Sequence, residues 1–275
     1  MTKVGIIGGS GFAGEELIKL LSLHDSSSIV AISSRELKNT PVSDLFQGTD
    51  LNFVDPEDQI FFQCDVVFFA TPHGTAMDIA DSFIQKGIKV IDLSADFRLK
   101  DPSIWKEWYG SNHKDLENLK NSIYGLTEIN AELIETGTLI AVPGCYPTAS
   151  ILGLLPLVSK KLPIDSIIID AKSGISGAGR TKVNESLKDD IQENFKAYAT
   201  GGHRHLPEII EVLEGIHGSS LKINFLPHLI PAMRGIYSTM YVNFEDTQYQ
   251  SIEDIYRDFY QDSLNIELML SLIHI

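Results

Sequence analysis

The apolar and polar positions divide the chain into two parts with different periodicities. In the first part, short runs that are apolar at nearly every position alternate with stretches whose apolar residues recur at helical spacing. The strand-like runs are KVGIIG, SIVAISS, DVVFFAT, KVIDLS and TLIAVPG, and the helix-like stretches include GEELIKLLSLH and GTAMDIADSFIQKG. Strands that are apolar on both faces and alternate with helices indicate a parallel sheet covered on both sides. Residues 98–135 are charged and aromatic, and we expect loops and short helices there.

The second part has longer strands that partly alternate between apolar and polar positions. They read SIIIDAKSG, LKINFLPHLI and GIYSTMYVNF, and a helical stretch and a glycine-rich turn separate them. Half-buried strands of this length favour a mixed or antiparallel sheet. The pattern therefore predicts an α/β chain with a parallel-sheet domain at 1–144 and an α+β domain at 145–275.

Composition narrows the function classes. The 275 residues carry 22 Lys and Arg against 37 Asp and Glu, a net charge of −15, which disfavours nucleic acid and anionic membranes as partners. The two cysteines form neither a disulfide framework nor a CxxC metal motif, so we predict no metal site. The first residues enter a strand directly, and no apolar run approaches the length of a membrane helix. We expect a soluble cytoplasmic protein.

The loop GIIGGSGFAGEEL follows the first strand and opens a helix, with Gly9, Gly11 and Gly14 spaced as G-x-G-x-x-G. In this context the motif is typical of a Rossmann-type dinucleotide-binding domain, in which glycines admit a pyrophosphate to a helix N-terminus. A tight turn without ligand is the alternative. Gly8 starts a second possible register, so the part played by each glycine stays open.

The second strand indicates NADP rather than NAD. It ends AISSRE, where Ser33, Ser34 and Arg35 suit a 2′-phosphate, instead of the acidic residue that would hold a ribose 2′-hydroxyl. Thr71, Pro72 and Ser94 end later strands, at the sheet edge where such folds bind ligands. We predict that the cofactor contacts are Gly8, Ser10, Gly11, Phe12, Ala13, Gly14, Ser33, Ser34, Arg35, Thr71, Pro72, His73, Ser94, Ser173, Gly174, Gly177 and Ala178, the last four from the loop AKSGISGAGR. His73 could equally be a solvated loop residue.

The candidate nucleophile is Cys145 in AVPGCYPTAS. It stands between a strand and an apolar stretch of helical length, where the positive end of a helix dipole gives a cysteine thiolate character. Cys64, in FFQCDVVFFA, fits the alternative of a small core residue.

A thiolate needs an acid–base partner, and GGHRHLPEI offers His203, Arg204 and His205. If this segment is extended, the two imidazoles point in opposite directions and only one faces the sulfur. We predict substrate contacts at Arg98, Tyr146, Arg204, Glu208 and Arg234, with Arg98 either meeting an anionic substrate or pairing with Asp96. A cysteine, a histidine, an NADP site and several arginines suit reduction of an acyl phosphate through a thioester.

Seven motifs, in order, resemble the N-acetyl-gamma-glutamyl-phosphate reductases of arginine biosynthesis, in the semialdehyde dehydrogenase superfamily. They are GIIGGSGFAGEEL, VIDLSADFRL, YGLTEIN, VPGCYPTAS, AKSGISGAGR, GGHRHLPEI and PHLIPAMRGI, and the match runs from residue 4 to about residue 245. The resemblance implies NADPH-dependent reduction of N-acetyl-glutamyl 5-phosphate to the semialdehyde, with Cys145 as nucleophile and His205, in preference to His203, as acid–base residue. It also implies a homodimer or homotetramer.

The resemblance leaves three matters open. Members of the family continue into a closing helix, whereas this chain ends in the apolar string LMLSLIHI, so we expect a truncated product with weak NADP binding and little activity. Related reductases of N-acetyl-aminoadipyl or aspartyl phosphate share the same logic, although PGCYPT and HRHLPEI argue against the aspartyl enzyme. A non-catalytic NADP-binding paralogue is the alternative from another class.

Overall fold

A computed structural model of the chain describes residues 1–183, 194–245 and 251–269. Its contacts separate two compact units. Unit 1 contains Met1–Gly144 and the described residues from Ile175 to Val183, and unit 2 contains Cys145–Gly174 and the described residues from Asn194 onward. Residues 175–183, which the sequence assigned to the second domain, thus group with unit 1.

Unit 1 is built on a six-stranded sheet in the order β2-β1-β3-β4-β6-β5, in which all neighbouring strands are parallel. The strands are β1 Thr2–Ile7, β2 Ser27–Ile32, β3 Val66–Phe69, β4 Lys89–Asp92, β5 Ile123–Tyr124 and β6 Leu139–Ala141. The helices are α1 Phe12–Ser22, α2 Ala76–Ile84, α3 Pro102–Tyr109, α4 Leu116–Asn121, α5 Thr127–Thr136 and the short turn α7 Arg180–Lys182. This confirms the predicted Rossmann-type parallel sheet.

The apolar runs of unit 1 form its strands because both faces of the sheet are covered. Val67 and Phe69 of β3 and Val90 of β4 have no exposed surface, and α1 and α2 pack against β2 and β4. Cys64 is buried in the same core, as predicted, and burial raises the pKa of its thiol to about 11. The short edge strand β5 lies within the region where only loops and helices were expected.

Unit 2 contains a four-stranded sheet in the order β10-β7-β9-β8. Its strands are β7 Ile164–Ser173, β8 Lys196–Ala197, β9 Ile223–Leu229 and β10 Ile236–Phe244, and its helices are α6 Cys145–Ser159, α8 Leu206–His217 and α9 Ile252–Tyr260. Strand β7 is antiparallel to β10 and parallel to β9, so the predicted mixed sheet is confirmed.

Helix α6 packs closely on this sheet. A Cβ on Gly153 would stand 2.6 Å from Cε of Met240 in β10, so the Met240 side chain packs directly on the helix backbone at this glycine. Pro156 lies inside the helix and interrupts its hydrogen bonding. In the described parts of the chain, every helix is too short or too polar to span a bilayer. The end of the string LMLSLIHI, residues 270–275, lies outside the described residues.

Candidate active site

The glycine loop between β1 and α1 shows why each glycine stands where it does. Gly8 has φ +85°, and a Cβ there would lie 2.5 Å from the carbonyl oxygen of Ala70. A Cβ on Gly14 would meet the backbone oxygen of Gly9 at 2.4 Å. At Gly11, in contrast, a Cβ would meet only the oxygen of Gly8, at 4.0 Å. Gly8 and Gly14 are thus required by packing, whereas Gly11 leaves open space at the N-terminus of α1.

A cavity of about 540 Å³ opens beside this loop. Six of the predicted cofactor residues line it, namely Gly8, Ser10, Ser34, Arg35, Thr71 and Pro72. An apolar wall that the sequence analysis missed is formed by Pro56, Phe62, Ile79 and Phe83. The volume and the combination of an apolar wall with polar and charged side chains suit a small-molecule or cofactor site.

At the end of β2, the two serines support the loop and leave the arginine exposed. Ser33 is fully buried, and its Oγ accepts a hydrogen bond from the amide of Gly8 at 3.2 Å. The hydroxyl of Ser34 donates to Ser10 Oγ at 3.1 Å and accepts from the amide of Leu37. Among the lining residues that the structure describes, Arg35 is the only one with a positive charge.

The residues of unit 1 fit a cofactor of the NADP type. The helix N-terminus has no side-chain cap at Gly11, and the open space there matches the approach of a diphosphate. Thr71 Oγ1, in the cavity wall, is buried without a hydrogen-bond partner among the described residues. Arg35, in the cavity lining, carries a guanidinium of the kind that pairs with phosphates.

The other predicted residues of unit 1 lie outside the lining of this cavity. Phe12, Ala13 and Gly14 begin α1, and Gly177 and Ala178 lie in the short 3₁₀ helix Ile175–Ala178. His73 is exposed, and its Nδ1 accepts from the amide of Ala95 at 3.0 Å, which leaves the proton on Nε2.

The buried end of β4 explains Ser94 and Arg98. The Ser94 hydroxyl donates to Asp92 at 2.8 Å, and burial together with the nearby Asp96 raises the pKa of Asp92 to about 7. Arg98 is only 7% exposed, and it donates from Nε to the carbonyl of Val142 at 2.7 Å and from a terminal nitrogen to that of Leu93. Arg98 is thus held by two backbone carbonyls at the buried end of β4, and its contact with a substrate stays a prediction.

In unit 2, Cys145 is the first residue of the 15-residue helix α6, and it is exposed. The positive end of the helix dipole stabilises negative charge at this position. Tyr146, next to it, is buried, and its hydroxyl donates to the carbonyl of His228 at 3.3 Å and accepts from the Tyr198 hydroxyl at 3.1 Å. Burial, followed by the bond from Tyr198, raises the pKa of Tyr146, and the charge of Cys145 adds to this increase. The charge of the Cys145 sulfur and the ionisation of the Tyr146 hydroxyl therefore influence each other.

The two histidines contact each other and the same tyrosine. The rings of His203 and His205 lie 4.8 Å apart, and Tyr146 packs edge-on against them at 5.5 and 5.9 Å. The segment is a turn that leads into α8, in which the amide of Leu206 donates to the carbonyl of His203 at 2.8 Å. Opposite directions were expected only for an extended segment. Because the segment is a turn, that expectation does not apply, and both imidazoles contact Tyr146.

The electrostatics of the histidines differ. The amide of His205 donates to Nδ1 of His203 at 3.1 Å, so the proton of a neutral His203 sits on Nε2. Burial, followed by the charge of Arg204, lowers the pKa of His203 to about 4. His203 is thus neutral at physiological pH.

The remaining predicted residues of unit 2 lie around these elements. Glu208 is buried in the first turn of α8, whereas Arg204 and Arg234 are exposed. Ser173 donates to the carbonyl of Gly174, and a Cβ on Gly174 would lie 2.8 Å from the amide nitrogen of Arg234. Within the described ranges, no three metal-binding side chains come together.

Comparison with known proteins agrees with this arrangement. The profile described as "Semialdehyde dehydrogenase, NAD binding domain" matches residues 3–137, and "Semialdehyde dehydrogenase, dimerisation domain" matches residues 145–274. The aspartate semialdehyde dehydrogenase of Candida albicans, solved with NADP, superposes with TM-score 0.71 at 21% identity and covers 95% of this chain and 76% of its own. That of Vibrio cholerae gives TM-score 0.74 at 18% identity, covering 98% and 81%. These likenesses define the class, a semialdehyde dehydrogenase fold with a nucleotide domain and a cysteine-bearing second domain.

Sequence relatives define the family within this class. An N-acetyl-gamma-glutamyl-phosphate reductase of Nitrosococcus oceani is 51% identical over 251 residues, which cover 89% of this chain and 73% of the relative. One of Pseudomonas syringae is 45% identical over 275 residues, covering 98% and 80%. The chain belongs to the N-acetyl-gamma-glutamyl-phosphate reductases.

Proposed function

We propose that this chain catalyses the NADPH-dependent reduction of N-acetyl-L-glutamyl 5-phosphate to N-acetyl-L-glutamate 5-semialdehyde, with release of phosphate, in arginine biosynthesis. The observation that carries the proposal is the exposed Cys145 at the start of α6, next to buried Tyr146, whose ring contacts half-buried histidines, in a chain of this reductase family. Reductases of aminoadipyl or aspartyl phosphates are less favoured, because the sequence relatives reported above are named for the acetyl-glutamyl substrate.

The chemistry begins at the sulfur of Cys145. A histidine takes the thiol proton, the thiolate attacks the carbonyl carbon of the acyl phosphate, and the bond from that carbon to the phosphate oxygen breaks. The protonated histidine then gives its proton to the departing phosphate. Bound NADPH supplies the hydride that reduces the thioester carbon. Collapse of the resulting oxyanion breaks the carbon–sulfur bond, releases the aldehyde and restores the thiolate, which takes one proton from solvent.

His205 is the better acid–base residue of the pair. His203 has a pKa lowered to about 4, and its Nδ1 already accepts a backbone amide, so it can neither carry a proton at neutral pH nor offer a free lone pair there. A fixed, neutral His203 instead suits hydrogen bonding to the substrate. Exposed Arg204 and Arg234 suit the substrate carboxylate and phosphate.

The cofactor is held by unit 1. Gly11 and the start of α1 would hold the diphosphate, Arg35 would pair with the 2′-phosphate, and Phe62 and Phe83 would pack against the adenine. Thr71 Oγ1 has no hydrogen-bond partner among the described residues, and the bound cofactor would provide one.

For assembly, we propose a homodimer or homotetramer that buries the outer face of the unit 2 sheet. Exposed Ile168, Leu226, Tyr237 and Tyr241 share that face by strand register, and the matching profile is that of a dimerisation domain. The net charge of −15 makes nucleic acid and anionic membranes unsuitable partners. Two reduced cysteines and a biosynthetic substrate are consistent with the cytoplasm.

The test is semialdehyde formation by the chain and by Cys145→Ser. We expect the substitution to reduce the rate at least about 10³-fold, because the oxygen nucleophile of serine has no comparable thiolate character. Iodoacetamide at neutral pH should label Cys145 much faster than buried Cys64, which serves as internal control. Equal slow labelling would defeat the mechanism and favour the non-catalytic paralogue.

A further inference from the structure

Arg180, in the segment Ile175–Val183, makes a set of contacts with the start of α1 that no predicted role explains. Its Nε donates to the carbonyl of Ser10 at 3.1 Å, and a terminal nitrogen forms an ion pair with Glu15. The guanidinium also stacks over the ring of Phe12, 4.3 Å from its centroid. The side chain is 29% exposed, so these contacts hold it in one place.

These contacts lie at the rim of the nucleotide cavity. Ser10, whose carbonyl Arg180 binds, lines the cavity, and so does Thr181, the next residue after Arg180. The Ser10 side chain accepts from Ser34 on the other side. Ser10 is therefore fixed through its backbone by Arg180 and through its hydroxyl by the end of β2.

Arg180 neutralises the carboxylate of Glu15, which would otherwise repel an anionic ligand. Glu15 lies in the first turn of α1, one turn from the uncapped N-terminus. The hydrogen bond from Lys19 and the nearby Arg180 lower the pKa of Glu15, so the carboxylate is ionised at neutral pH. Lys19 also binds Glu16, at 3.3 Å, so its charge is shared between two carboxylates. Without Arg180, a carboxylate would stand close to the open space at Gly11 and repel a diphosphate.

We infer that Arg180 is a positioning residue for the nucleotide: it fixes Ser10 and neutralises Glu15, so that the N-terminus of α1 accepts the diphosphate of the cofactor. This inference rests on the proposal that the cavity binds NADP. Because Arg180 acts at the diphosphate, it serves NADPH and NADH equally, in contrast to Arg35 at the 2′-phosphate.

The test is a set of dissociation constants for NADPH and NADH, measured by nucleotide fluorescence with the full chain. Arg180→Gln should raise both constants roughly five- to tenfold, since an ionised Glu15 is left near the diphosphate. Glu15→Gln alone should change little, and the double variant should recover most of the lost affinity. The deficit of Arg180→Gln should shrink at high salt, which screens the Glu15 charge. Lys182→Gln, an exposed lysine two residues away, is the matched control.

The possible results distinguish the inference about Arg180 from the proposal that the cavity binds NADP. Unchanged constants for Arg180→Gln, or a double variant no better than Arg180→Gln, overturn the inference while NADP binding stands. Failure of the folded parent chain to bind NADPH overturns both the cofactor proposal and the inference. If melting without nucleotide shows that Arg180→Gln is unfolded, the comparison passes to the double variant, which must bind nearly as tightly as Glu15→Gln.

Discussion

The candidate sites of the two units differ in the groups that form them: the glycine loop of unit 1 depends on backbone, whereas the site of unit 2 depends on large side chains. In unit 1, the loop beside the cavity is formed by backbone and small residues, with Gly8, Gly11 and Gly14 shaping it, while side chains such as Phe62 and Phe83 form the cavity wall. In unit 2, the site is a group of large side chains that three separate segments bring together. Cys145 and Tyr146 come from α6, Tyr198 from the end of β8, and the histidines from the turn before α8.

This difference predicts how the two sites respond to substitution. A backbone site depends on the absence of side chains, so added atoms either break the fold or block the ligand. A side-chain site depends on the protonation state and contacts of each group, so removal of one group changes the chemistry while the fold persists. The following predictions test the contrast in order of decreasing effect.

The largest effect separates the two histidines. His205→Asn should lower kcat about 10²–10⁴-fold at pH 7, because the acid–base group is lost. His203→Asn should lower it much less, since His203 is already neutral there. Steady-state rates of semialdehyde formation measure both, and His24→Asn, at an exposed position of unit 1, is the control. A greater loss at His203 would reverse the assignment.

His203 also links stability to pH. Its pKa is about 4 in the fold against an ordinary value of 6.5, so the unfolded chain binds more protons between these values. The free energy of unfolding therefore falls as the pH is lowered from about 6.5 to about 4. Urea unfolding should show a flatter pH dependence for His203→Asn than for the parent chain or His24→Asn. Parallel curves would mean that His203 is not held neutral.

A glycine pair tests the backbone site. Gly14→Ala places a Cβ 2.4 Å from the oxygen of Gly9, a clash that we expect to cost about 3 kcal/mol and to outweigh the helix preference of alanine. Gly11→Ala meets only an oxygen at 4.0 Å, so its melting temperature should stay unchanged while its NADPH dissociation constant rises about tenfold. Differential scanning calorimetry and nucleotide fluorescence separate the two effects. A stable Gly14→Ala, or a tightly binding Gly11→Ala, would refute the division of roles.

How well the sequence predicts each part follows from the same contrast. The sheet of unit 1 and the glycine loop are local patterns, so the order of strand, turn and helix is readable from neighbouring residues. The two-residue strand β5 is not, because only its pairing with β6 makes it a strand. Arg98 donates to the carbonyl of Val142, 44 residues away in the sequence, so this contact is not readable from neighbouring residues. Tyr198 stands in no motif, and only the tertiary fold brings its hydroxyl to Tyr146.

The smallest effect concerns the helix that carries Cys145. Because Pro156 has no amide hydrogen, the carbonyl of Leu152 in α6 lacks its normal helical donor, and the hydroxyl of Tyr260 in α9 donates to it instead. Tyr256 donates in the same way to Gly153, whose carbonyl keeps a normal helical donor four residues on. Tyr260→Phe should therefore cost about 1–2 kcal/mol, and Tyr256→Phe less.

Urea unfolding measures both variants, and Tyr256→Phe, in the same helix, serves as the matched control for Tyr260→Phe. Since α6 and α9 belong to unit 2, we expect the NADPH dissociation constant of folded Tyr260→Phe to equal that of the parent chain. The rate of iodoacetamide labelling at Cys145 should rise as α6 loosens. Equal losses of unfolding free energy for Tyr260→Phe and Tyr256→Phe would show that the missing amide hydrogen of Pro156 does not make the Tyr260 hydrogen bond more important. A weakened NADPH affinity would show instead that the side-chain site and the backbone site are not independent.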